Sequence, residues 1–491
     1  MSARTYRILI VLLVSLGAIA VNLAFVQVVR GPDLASDPRN ARAIYASFGR
    51  WRGPIVTADG VVVAESREVG GELRYTRHYP EGPLFAHITG FTSLTRGDSG
   101  LERSFAKALL GEDLSLSTNP RSILDRIKGG KSNATVVLTI SSVLQRVAAE
   151  ALGGRTGAVV AMDPKTGAVL AMYSNPSFDP NPIASLDQNA ADRAYAAATD
   201  SAAGKPMLSR AFGELRAPGS TFKVVVAAAA LEGGYTPGSE FPDPPSLDLP
   251  DTDQKLYNFR RGSPCSSGRT ITLSEALVVS CNTTFAQLGL ALGHDAMRRQ
   301  AERFGFDQRF DELALDAAVS KFPPDVSFAS NKPVQAYAAI GQFDVRATPL
   351  QMAVVASAVA NAGVVKSPFV VRALESQGGQ VLRDFGSGDG KTLGQAMSAA
   401  NATVLREMMV GVVERGTGRA ARIPKVVVAG KTGTTTDFDQ AWFIGFAPAQ
   451  DPRVAVAVLV ENEGREATGG QVAAPIARQV MQEALRLQGV L

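Results

Sequence analysis

The longest apolar run comes first. After MSARTYR, residues 8–29 read ILIVLLVSLGAIAVNLAFVQVV, interrupted only by Ser15, Asn22 and Gln27. A run of this length can cross a bilayer as a single helix. Two readings of it stand. One is a membrane anchor with residues 1–7 as a short cytoplasmic tail; the other is a cleaved export signal, for which AIA at Ala18–Ala20 offers a small-x-small cleavage pattern. The apolar run continues past that pattern, which favours the anchor. Arg4 and Arg7 precede the run and Arg30 follows it, so flanking charge does not set the orientation. Under either reading everything downstream is expected on the extracytoplasmic side.

The pattern then becomes mixed. Residues 30–154 carry short strand-like pieces, GPIVTADGVVVAES among them, and a basic, glycine-rich DRIKGGKSN before the alternating ATVVLTI. This predicts a small non-catalytic module. At Gly157 the texture changes to GAVVAMDPKTGAVLAMYS, two apolar strands joined by a Pro-Lys-Thr-Gly turn, a hairpin signal. Near the other end VVVAGKTGTTT reads as a strand, and AWFIGFAPAQDPRVAVAVLVEN as a second strand pair. Val472–Leu487 has helical periodicity, as do the intervening NKPVQAYAAIGQ and TPLQMAVVASAVANAG. Strands at both ends of residues 155–491 with helices between them predict an α+β domain whose sheet gathers both ends.

Composition narrows the function classes. With 491 residues and 45% hydrophobic content the chain can bury more than one core, which excludes a disordered or fibrous protein. Its 50 basic and 46 acidic residues are spread along the whole length, so no nucleic-acid footprint emerges. Export gives the two cysteines, Cys265 and Cys281, a choice between a disulfide and two buried thiols, which sequence leaves open. No metal-ligand spacing is present and no cofactor is implied. The three histidines, His78, His87 and His294, are expected to be structural.

Candidate chemistry sits where a polar loop meets an apolar helix, at APGSTFK before VVVAAAALEGG. A serine hydroxyl becomes a nucleophile only with a base in reach and donors aimed at the oxyanion that forms. Ser220 at a helix start gains free N–H groups, and Lys223, three residues on, shares its face. Burial against the valines and alanines would lower the lysine's pKa until it can accept a proton. Ser-x-x-Lys alone decides nothing, because SFAK at Ser104–Lys107 repeats it. Two more strings, SCNTTF with Ser280 and Asn282, and GKTGTTT with Lys431, Thr432, Gly433 and Thr434, also have copies, at Ser117–Asn119 and Lys165–Gly167. Context separates the sets: the copied KTG is the turn of the first hairpin, whereas Lys431 lies on a strand after VVVA. Gly430 and Gly433 are expected to leave that strand's edge open to a substrate laid alongside.

Ser-x-x-Lys, Ser-x-Asn and Lys-Thr-Gly in this order resemble the three motifs of the penicillin-binding proteins and serine β-lactamases. RGPIVTADGVVVAES, RAFGELRAPGSTFK, GVVERGTGRAAR and AWFIGFAP extend the likeness to the class B penicillin-binding proteins, and among these to actinobacterial members. IGQFDV departs from it, since many relatives carry a second glycine where Phe343 stands. The resemblance implies a transpeptidase that cross-links peptidoglycan stem peptides ending in D-Ala-D-Ala and is acylated by β-lactams. It implies Ser220 as nucleophile, Lys223 as base, Ser280 as proton relay and Asn282 as binder of the substrate amide. Lys431, Thr432, Gly433 and Thr434 would hold the terminal carboxylate, and the N–H groups of Ser220 and Thr434 would form the oxyanion hole. A membrane glycosyltransferase of the shape, elongation, division and sporulation group is the implied partner. Three rival readings are a serine β-lactamase, with Glu312 as its only candidate water-activating base, a bifunctional glycosyltransferase, for which residues 30–154 are too few, and a membrane-tethered β-lactam sensor, for which residues 1–7 leave little output domain.

Overall fold

The computed structural model describes the chain except residues 1–2, 32–44, 46, 72, 117–132, 260–261, 325–330, 387, 389, 436–438 and 462–467. The copied Ser117–Asn119 string lies outside the described residues. At the N-terminus Ala3–Ala24 is helical and continues through a wider turn to Val29. Among the described residues it contributes the one segment, Arg4–Val29, long and apolar enough to cross a membrane, and none of its hydropathic window is buried against the protein.

The C-terminal part is built on a five-stranded sheet in the order Ala429–Thr434, Gln440–Ala447, Val454–Glu461, Gly157–Met162, Val169–Asn175. All neighbours are antiparallel. Every residue of two of the three inner strands, Val454–Glu461 and Gly157–Met162, is buried. Alternation along a strand sends successive side chains to opposite faces, so an unbroken apolar run requires cover on both. Ala158, Val160 and Met162 enter the core shared with the helix Pro349–Ala360, whereas Val159 and Ala161 meet Ser142–Leu152 and Ala474–Leu487 on the other face. The α+β expectation, with both ends of the segment meeting in one sheet, is what the fold contains.

A second sheet of six strands runs Val381–Asp384, Val371–Glu375, Thr135–Leu138, Ile55–Val56, Val62–Glu68, Tyr75–His78. Two of its strands therefore come from the middle of the C-terminal part. Beside it Glu102, fully buried, takes Arg52 Nε at 2.7 Å and Arg77 Nε at 2.6 Å. A buried carboxylate is tolerated because two guanidinium groups neutralise it and Arg77 hydrogen-bonds it.

Candidate active site

The serine turn is shaped by glycines. Gly219–Phe222 forms a tight 3₁₀ turn that runs directly into the helix Lys223–Glu232, whose residues 223–231 are all buried. Gly219 sits at φ +53° and its N–H donates to the Gly341 carbonyl at 2.9 Å. A Cβ on Gly341 would lie 2.1 Å from the Gly219 oxygen, so only glycine allows this approach. Thr221 Oγ1 donates to Pro218 O at 2.6 Å and closes the turn, leaving Ser220 half-buried at its apex.

Ser280 lies between the helices Leu273–Val278 and Asn282–Arg303, and takes φ +64°. A non-glycine residue there is held by its surroundings against local strain. Cys281 N donates to Ala276 O at 2.8 Å, and Cys281 is joined to Cys265 by a disulfide with Cα atoms 5.7 Å apart. The bridge settles the choice left open by the sequence. The N–H groups of Asn282 and Thr283, free at the helix start, donate to Asn258 Oδ1 at 3.1 and 3.0 Å. Asn258 escaped sequence reasoning because it caps this helix from 24 residues upstream, where no local capping pattern could reveal it.

Two buried lysines meet at Ser280. Lys223 Nζ donates to Ser280 O at 2.8 Å and to Asn282 Oδ1 at 2.7 Å, with Ser280 Oγ at 3.5 Å and the Phe285 ring centroid at 5.4 Å. Burial, and then the charge of Lys431, push its pKa well below the usual lysine range. A neutral amine has two N–H groups, and Ser280 O and Asn282 Oδ1, acceptors only, take both. Its lone pair is then free to receive a proton. Lys431 Nζ donates to Ser280 Oγ at 2.8 Å and to Thr432 O at 2.8 Å, and burial lowers its pKa to about 7. Because the Ser280 hydroxyl accepts from Lys431, its own proton is available to donate elsewhere.

Lys431 belongs to the edge strand Ala429–Thr434. Thr435 N donates inward to Gln440 O at 3.1 Å, so backbone alternation turns the N–H and C=O of Thr434 and Thr432 to the unpaired edge. A Cβ on Gly219 would lie 3.3 Å from Thr434 O, which places that edge beside the serine turn. The glycines do other work than the one expected of them. A Cβ at Gly433 would come within 3.0 Å of Pro218 O, Thr221 and Trp442, and one at Gly430 within 2.4 Å of Phe443. They let the strand pack against the serine turn and its own neighbour. Thr432 Oγ1 pairs with Thr417 Oγ1 at 2.6 Å, and Thr434 Oγ1 accepts from Gly469 N at 3.2 Å.

A model of the penicillin binding protein transpeptidase domain matches residues 157–482, and one of the penicillin binding protein A dimerisation domain matches residues 52–137. Over 99% of both chains the protein is 38% identical to the peptidoglycan D,D-transpeptidase PbpA of Mycolicibacterium smegmatis. The chain is a class B penicillin-binding protein. The PbpA of Mycobacterium tuberculosis is equally similar, 38% identical over 99% of each chain. The imipenem acyl-enzyme of penicillin-binding protein A from M. tuberculosis superposes with a TM-score of 0.83 at 38% identity, covering 89% of this chain and 100% of that one. A D,D-transpeptidase domain from Eggerthella lenta follows at 0.77 and 35%, covering 90% and 100%.

In this penicillin-binding protein the two described motif copies have other partners. Ser104 and Lys107 are exposed, Ser104 donating to Ala314 O at 2.6 Å, and Lys165 pairs with Asp451 at 2.7 Å. Glu312 accepts from Ser367 Oγ at 2.8 Å and pairs with Lys391. Burial pulls its pKa up, but those two partners outweigh it and hold the carboxylate below its usual range. His87 Nε2 meets Pro206 O at 2.8 Å and burial lowers its pKa to about 4, while His294 Nε2 meets Pro323 O at 3.0 Å; both are structural.

Proposed function

We propose that Ser220 is the nucleophile of a peptidoglycan D,D-transpeptidase, the activity for which the mycobacterial relatives are named. The supporting observation is the convergence of Lys223 and Lys431 on Ser280 beside the serine turn. Ser220 Oγ attacks the carbonyl between the two terminal D-alanines as its proton passes to the neutral Lys223 amine. Ser280 relays a proton to the departing D-alanine. Asn282 orients Lys223 and binds the substrate amide. The cationic Lys431, with Thr432 and Thr434, holds the terminal carboxylate, and Gly433 gives the strand its close approach. The N–H groups of Ser220 and Thr434 receive the oxyanion. An amine of a second stem peptide then takes the acyl group from Ser220.

In this proposal residues 155–491 are the transpeptidase domain, 30–154 a non-catalytic pedestal, 8–29 the anchor and 1–7 its cytoplasmic tail. The catalytic domain stands on the extracytoplasmic side, and the anchor and pedestal contact a membrane glycosyltransferase. Fluorescent penicillin followed by peptide mapping tests the nucleophile. Label should attach to Ser220, vanish in Ser220→Ala and persist in Ser104→Ala; label on any other serine would overturn the assignment.

A further inference from the structure

Transfer to an amine needs a second substrate held beside the acyl-enzyme, and one cleft lies where it could be held. Its volume is about 540 Å³, and Asp251, Gln254, Asn331, Val334, Tyr337 and Phe343 line it. Two of the loops that line it lead to the candidate motifs. The Gly341–Phe343 loop accepts the Gly219 N–H next to Ser220, and the loop bearing Asp251 and Gln254 leads to Tyr257, whose carbonyl accepts from Asn282 Nδ2 at 3.0 Å. The Lys431 strand edge also borders the serine turn, at Thr434 O.

Phe343 supplies a second observation. It is a bulky aromatic at φ +60°, a conformation such residues rarely adopt, and it is 47% exposed. Arg346 Nη1 donates to its carbonyl and keeps the loop in place. Phe343 thus presents an aromatic surface at the cleft, on the loop that holds the serine turn.

We infer that this cleft is the subsite for the acceptor peptide, an inference that rests on the transpeptidase reading. Aromatic and aliphatic faces from Tyr337, Phe343 and Val334 take the peptide's apolar surface, and Gln254 and Asn331 offer amide groups to its backbone. Asp251 is the one charged residue among the described residues lining it, so the subsite favours acceptors whose flanking groups are neutral or cationic over anionic ones. From here the neutral acceptor amine attacks the acyl carbonyl. A C–N bond forms, the C–O bond to Ser220 breaks, and the amine's proton passes through Lys223 to Ser220 Oγ.

The test uses the full-length protein, an acyl-D-alanyl thioester as donor, and three acceptors: glycinamide, a diamino-acid tripeptide with free carboxylates, and the same tripeptide amidated. Chromatography gives the ratio of aminolysis to hydrolysis. Phe343→Gly, which relieves the backbone rather than straining it, should lower that ratio for the amidated tripeptide about fivefold, as expected for loss of a stacking contact. It should leave the ratio for glycinamide and the rate of penicillin acylation unchanged. Asp251→Asn should narrow the preference for the amidated over the carboxylate tripeptide. An equal fall for glycinamide and tripeptide, or no change in either variant, would overturn the subsite. Failure of penicillin to label Ser220 would instead remove the transpeptidase reading beneath it.

Discussion

Lys431 carries a conflict between stability and use. Its pKa of about 7 means that the folded protein binds fewer protons than the unfolded chain between about 7 and the ordinary lysine value of 10.5. Stability contributed through this group is therefore lowest below pH 7 and recovers as pH rises toward 10.5. Lys431→Met should raise Tm in a thermal scan, more at pH 6 than at pH 10, while reducing acylation by at least tenfold. The two lysines also set the pH profile of acylation. The rate should rise as Lys223 loses its proton and fall as Lys431 loses its own near 7, a bell that Lys431→Arg would flatten on the alkaline side. Stopped-flow acylation across pH 5–10 measures both limbs. Lys223→Ala should abolish the adduct because it removes the amine proposed to take the Ser220 proton. Glu312, occupied by Lys391 and Ser367, should be silent: Glu312→Gln leaves the lifetime of the penicilloyl adduct, many minutes by intact mass, nearly unchanged. An adduct that turned over in seconds and froze in Glu312→Gln would instead describe a β-lactamase.

At the scale of elements, the site depends on close packing between a turn, a loop and a strand edge. Gly341→Ala should destabilise the protein by about 3 kcal/mol, since its Cβ would strike the Gly219 carbonyl and its φ is +73°. Acylation should fall further than stability alone explains, because the serine turn moves with that carbonyl; thermal melts and labelling rates on the same sample separate the two. The candidate site residues could be picked from the sequence because reaction chemistry restricts residue type and the copies differ in local context, and the fold brings Lys223, Ser280, Asn282 and Lys431 together. Their supports could not be picked that way. Asn258, Gly341, Thr417 and Gly469 act across long stretches of chain, and nothing local in sequence distinguishes a glycine facing a distant carbonyl from one in any turn. The disulfide depended in the same way on a Cα separation that only the fold provides. In the folded, unreduced protein a thiol titration under denaturing conditions should find none free, and two titratable thiols would refute the bridge.

For the whole molecule, the N-terminal helix predicts where the protein is found. Intact protein should sediment with membranes and resist extraction by high salt, whereas a chain lacking residues 1–44 should be released yet still be acylated by penicillin. Recovery of a mature protein that begins after Ala20 would favour a cleaved leader instead. The general layout, an apolar N-terminal helix and a small module before an α+β domain, followed from hydrophobic period and run length alone. The pairing of Thr135–Leu138 with Val371–Glu375 did not, because a long-range strand partner leaves no periodic trace.

That pairing has a consequence for inheritance. The six-stranded sheet is assembled from two stretches separated by more than two hundred residues, with its outermost catalytic-segment strands Val371–Glu375 and Val381–Asp384 completing a surface begun at Ile55. A gene fragment starting at residue 155 would encode every catalytic side chain and yet expose the bare edge of Val371–Glu375, a template for aggregation. Recombination between relatives at that point would join strands that never evolved against each other. Pedestal and transpeptidase are thus expected to descend together, exchanged among lineages as a single heritable block.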